Sequence, residues 1–131
     1  MSMHVEMCKK CIQKCTDCIA ENKKFADSCG SDKECGTEQK SCIRSCQDCI
    51  KACQECIEHC QKHLEHCEDE ECVNACKECI EKCEECIEAC EDCCDECESG
   101  GEDCADSCQD CIDACHECID ACKECIDKSC C

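Results

Sequence analysis

Proline, tryptophan and tyrosine are absent from this chain, phenylalanine occurs once (Phe25), and glycine occurs only four times. The aliphatic residues that fill an ordinary core are also few, so the interior must be built from something else. No apolar run approaches the ~20 residues that a membrane span needs. There is no basic patch and no aromatic platform, which argues against nucleic acid as a partner. The opening residues, Met1-Ser2-Met3-His4-Val5-Glu6, have neither a basic stretch nor an apolar stretch of the secretory type, so a cytoplasmic location is expected.

What is present is cysteine: 31 of 131 residues, supplying most of the 43% nominally hydrophobic content. Abundant cysteine usually marks a secreted disulfide scaffold. An odd count cannot pair completely within the chain, and such scaffolds are rich in loops, glycine and proline. The formal charge is −20, with 34 Asp and Glu against 14 Lys and Arg. This balance fits a solvated helix surface, with attraction of cations as a secondary role.

The cysteines recur at alternating spacings of three and four, the period of one helix face. The first run is Cys8, Cys11, Cys15 and Cys18, and the second is Cys42, Cys46, Cys49, Cys53, Cys56 and Cys60. The third holds Cys72, Cys76, Cys79, Cys83, Cys86, Cys90, Cys93 and Cys97. The fourth holds Cys104, Cys108, Cys111, Cys115, Cys118, Cys122 and Cys125. Cys29, Cys35 and Cys67 continue the same phase, while Cys94, Cys130 and Cys131 leave it. Cysteine thus takes the a and d positions of a heptad, where a coiled coil places Leu or Ile. An aliphatic row occupies e, including Ile12, Ile19, Ile43, Ile50, Ile57, Leu64, Ile80, Ile87, Ile112, Ile119 and Ile126, suited to packing neighbouring helices or subunits. Positions b, c and f are nearly all charged or amide residues and face water.

Breaks in the pattern predict helices over about 3–28, 32–67, 69–98 and 102–128 in a single domain spanning 1–131. Gly30 suits the end of the first helix, and Ser31 with Glu34 forms a capping box for the second. The acids of 67–70 favour a third start, and Gly100-Gly101 separates the third helix from the fourth. Short connections make neighbours antiparallel, so the expected fold is all-α: an antiparallel up-down-up-down four-helix bundle with a cysteine-lined core.

Neighbouring thiols at i,i+3 and i,i+4 can share one ion, and facing helices add further ligands. Thiolates suit Cu(I), zinc and iron–sulfur clusters. Structural zinc asks for four convergent ligands, usually set by loops and turns. Ladders of thiols on rigid helices offer pairs and triples, which suit Cu(I). One Cu(I) per thiolate also leaves a neutral core, whereas a buried net charge is costly. The expected cargo is therefore multiple Cu(I) ions, on the order of 15–30 per chain from one to two sulfurs per ion. A zinc or cadmium store of the metallothionein type, an iron–sulfur carrier and a thiol-redox protein are the alternatives. No catalytic constellation is visible, so an enzyme is not expected.

With these spacings the chain resembles the copper storage proteins over essentially its whole length. That resemblance implies a four-helix bundle whose core cysteines hold many Cu(I) ions, in copper homeostasis and detoxification. It further implies a homo-oligomer, a tetramer in that family, and exchange with copper-dependent enzymes or chaperones.

The ends of the seam differ. His4 and His63 take d positions and share one end of the expected bundle with Cys72 and Cys125, alongside Met1 and the C-terminal Cys130-Cys131. Asn22, Phe25 and Gln39 fall in the seam at the other end. The His/Met end is expected to admit copper, with His4 and His63 as ligands, and the Phe25 end to be closed. His59, His66 and His116 lie off the seam and are expected in solvent.

Overall fold

The computed structural model describes residues 3–29, 36–99 and 104–128, and the side chains of 5–25, 40–98 and 106–128. Four helices account for nearly all of it: α1 (Met3–Cys29), α2 (Gly36–His66), α3 (Glu70–Ser99) and α4 (Cys104–Lys128). No strand occurs among the described residues. These bounds follow the expected ones closely at both ends of α3 and at the start of α1. Gly30, the Ser31/Glu34 box and Gly100-Gly101 lie outside the described residues.

The α2–α3 junction is capped as its acids suggest. Glu71 N and Cys72 N donate to Asp69 Oδ1 at 3.0 and 3.5 Å, and Val73 N donates to Asp69 O at 2.9 Å. Asp69 is the N-cap of α3, satisfying amides that the first turn leaves without helical partners.

Each helix packs against its neighbour in the chain, and α1 closes the ring on α4. Contacts between sulfurs give the register. Cys11, Cys15 and Cys18 of α1 meet Cys53, Cys49 and Cys46 of α2, so partner numbers fall as those on α1 rise. The same reversal relates α1 to α4, through Cys11–Cys118 and Cys18–Cys111, and α2 to α3, through Cys49–Cys86 and Cys56–Cys79.

The interior is sulfur. Every cysteine whose side chain is described, except Cys67, is buried, and the buried ones of the seam are at most 1% exposed. Ile19, Ile112 and Ile119 are buried beside the seam, and Ile12, Ile43, Ile50, Ile57, Leu64, Ile80, Ile87 and Ile126 pack partly buried against it. The e-position aliphatics therefore serve helix packing within the chain. The salt bridges lie at the surface, where Lys10–Glu55 at 3.2 Å and Lys82–Glu85 at 3.2 Å each join an exposed side chain to a half-buried one, and they contribute little. No described helix is long and apolar enough to cross a membrane.

Candidate metal centre

The a and d positions of the four helices stack the sulfurs in layers, one residue from each helix. Four layers are cysteine throughout: Cys8/Cys56/Cys79/Cys122, Cys11/Cys53/Cys83/Cys118, Cys15/Cys49/Cys86/Cys115 and Cys18/Cys46/Cys90/Cys111. Below the first of these, Cys76 and Cys125 lie 3.7 Å apart, with Cys60 beside them. Beyond the last, Asn22 stands where a cysteine would, alongside Cys42, Cys93 and Cys108. The α3–α4 side forms a continuous ladder. Its rungs are Cys76–Cys125, Cys79–Cys122, Cys83–Cys118, Cys86–Cys115, Cys90–Cys111 and Cys93–Cys108, all between 3.4 and 3.7 Å.

These separations suit metal binding. With a metal–sulfur bond of ~2.3 Å, two sulfurs across one ion stand about 4.6 Å apart, and a tetrahedral edge is about 3.8 Å. Groups such as Cys11/Cys15/Cys53/Cys118, Cys15/Cys49/Cys53/Cys86 and Cys18/Cys46/Cys90/Cys111 have all four sulfurs within 4.8 Å of one another. The groups overlap. Cys11 and Cys118 also belong with Cys83 and Cys122, and Cys18 and Cys90 also belong with Cys49 and Cys115. The core is a connected array in which sulfurs can bridge ions, rather than a set of separate four-ligand cages.

Burial disfavours the ionised form of a thiol, and the sulfurs here also hydrogen-bond one another. Cys90 is held well above the usual thiol range, first by Cys111 and then by Cys115, Cys18 and Cys46, with burial adding to the effect. Cys15 and Cys53 are raised in the same way, each led by Cys11. Cys111 is pushed up to about 12, chiefly by Cys115. Cys46 and Cys49 shift down, led by the hydrogen bonds from Cys111 and Cys115. A hydrogen-bonded thiol pair needs one proton retained, so neighbouring sulfurs divide into donors and acceptors.

At one end, His63 is half-buried and its Nε2 lies 3.0 Å from Cys72 Sγ. The structure thus brings together the imidazole and the thiol that the heptad phase assigns to one end. Cys67 is half-buried there, its Sγ 3.8 Å from Asp69 O. At the other end Phe25 is buried. His66 and His116 are exposed as expected, whereas His59 is half-buried against the helix surface. The side chains of His4, Cys29, Cys35, Gln39, Cys104, Cys130 and Cys131 lie outside the described residues.

Two residues carry more than the sequence reading assigns them. Asn22 is the buried polar residue of the described core, fully enclosed. Its Nδ2 donates to Cys18 O at 2.7 Å and Cys18 Sγ at 3.1 Å, and reaches Cys46 and Cys111 Sγ at 3.7 Å. Its Oδ1 accepts from the thiols of Cys42 at 3.1 Å and Cys93 at 3.0 Å. Cys94 leaves the a/d phase yet is buried, with its Sγ 3.7 Å from Ile43 O. It continues the e row of Val73, Ile80 and Ile87 at a spacing of seven, a signal present in the sequence.

Comparison with known proteins adds no relative: no family model, no curated protein and no solved structure matches this chain.

Proposed function

We propose that this chain binds and stores many Cu(I) ions on the thiolates of an antiparallel, up-down-up-down bundle with a cysteine-lined core. The observation that carries the reading is the overlap of the sulfur groups, with Cys11, Cys15, Cys18, Cys49, Cys53, Cys90 and Cys118 each shared by at least two of them. Zinc in separate four-thiolate sites uses each sulfur once and leaves a charge of −2 per site in a buried core. Cu(I) takes two or three sulfurs, accepts bridging thiolates and reaches neutrality at one ion per thiolate. The same sharing is what a high-capacity store needs.

The role that follows is buffering of copper in the cytoplasm, with loading and withdrawal by copper chaperones or copper-dependent enzymes, and no catalysis by the chain itself. Assembly into a homo-oligomer belongs to the same reading. His63 and Cys72 mark the end by which copper enters, together with His4.

X-ray absorption at the copper edge of anaerobically loaded protein tests this assignment. It should give sulfur-only coordination of two to three ligands and a short copper–copper distance from bridged ions. Four-coordinate isolated metal with no metal–metal scattering would turn the reading towards the zinc alternative.

A further inference from the structure

A core of identical side chains has a difficulty that its chemistry does not reveal. If α1 slides by one heptad, about 10.5 Å, most of its seam cysteines again face cysteine. The connections restrain this slide unequally. Three residues, 67–69, join α2 to α3, whereas six, 30–35, join α1 to α2, with an extended reach of about 20 Å. Helix α1, tied to the other helices at one end only and by the longest of the three connections, is the helix least restrained in register.

We propose that Asn22 and Phe25 are positioning residues that fix the register of α1 and so complete the four-cysteine layers. The amide of Asn22 reaches all three other helices: Cys42 and Cys46 on α2, Cys93 on α3 and Cys111 on α4. Sliding α1 so that Cys15 takes the place of Asn22 withdraws the amide from all of these and carries Phe25 out of its buried site. Sliding it the other way drives the Phe25 ring into the place of Cys18 in the layer of Cys46, Cys90 and Cys111, where the Cys90 and Cys111 sulfurs stand 3.4 Å apart. Such overpacking is destabilising. A single buried polar residue in a uniform seam is a known way to specify register.

The register matters for binding. In the observed one, four layers hold a cysteine from every helix. The slide that puts Cys15 in the place of Asn22 leaves only three, because Met1 and His4 of α1 enter the array, and the opposite slide sets Asn22 and Phe25 inside two of the four layers. The pin acts in the metal-free protein and does not depend on which ion the sulfurs hold, so its failure and that of the copper reading are separable.

The test uses the reduced, metal-free chain with labelled isoleucine methyl groups, read by nuclear Overhauser effects. The Cys18–Cys111 and Cys11–Cys118 contacts place Ile19 level with Ile112 and Ile12 level with Ile119. Wild-type protein should give one set of signals with those pairings. The variant N22C/F25C, whose α1 seam is uniform cysteine, should add Ile12–Ile112 and Ile19–Ile119 pairings at about a tenth of the native intensity or more. N22L keeps the Phe25 barrier and should add only Ile12–Ile112. This single variant decides the matter if the double one loses helicity. Native pairings alone in the folded variants overturn the proposal, as does loss of helicity in both, which would make these residues necessary for the helices rather than for their register.

Discussion

His63 Nε2 lies 3.0 Å from Cys72 Sγ, where the half-buried imidazole at the end of α2 meets the first seam cysteine of α3. The pair stands at the end of the sulfur array, so an ion reaching it can be handed inwards towards Cys76 and Cys125. Replacing His63 with Ala, alone or together with His4→Ala, should slow Cu(I) uptake several-fold and leave capacity within about one ion of wild type. Stopped-flow loading checks this. Unchanged uptake kinetics would remove the imidazole from the path.

Loading should release acid. Cys15, Cys53 and Cys90 keep their protons at neutral pH because neighbouring sulfurs and burial raise them, and a metal ion must displace those protons. About one proton should appear per newly ligating thiol in weakly buffered solution, and apparent affinity should fall as pH falls. Release of no acid would mean that the thiols are already ionised.

The same shifts give a stability profile for the metal-free fold. A thiol raised in the folded state stays protonated while its unfolded counterpart ionises near the ordinary value of 9.0. The stability it contributes is fully present below pH 9 and is lost as pH rises towards its folded value, at up to about 1.4 kcal/mol per pH unit per group. Urea midpoints for metal-free protein should therefore fall between pH 9 and pH 10. A midpoint that rises at pH 10 would contradict the assigned direction.

Metal should hold the bundle together. Small thiols bury little apolar area, the ion pairs lie at the surface, and a ligand present at 1,000 times its Kd adds about 4.1 kcal/mol for a single site. For a domain of this size that corresponds to a rise in Tm on the order of 15 °C, and several tight sites give more. Equal melting temperatures for empty and loaded protein would contradict it.

The helices and the contents of the core were legible because one residue type marks the a and d positions and isoleucine marks e. The pairing of His63 with Cys72 was legible in kind, since heptad phase places both at one end. Other features depend on three-dimensional neighbours that no periodicity supplies. Asn22 reads in sequence as a polar residue at a helix end, yet its partners come from Cys42, Cys93 and Cys111 on three other helices. The burial of Cys94 was available from its spacing to Ile87 but was masked by its position beside Cys93. Which sulfurs share a group depends on layer register, which spacing along one helix does not contain.

The most direct measurement of the central claim is an anaerobic titration of fully reduced protein with Cu(I) against a competing chromogenic chelator. Tight binding of ten or more ions per chain, with zinc displaced, is the predicted result. Saturation at a few ions, or ready loss of copper to the chelator, would contradict storage of Cu(I) by this array.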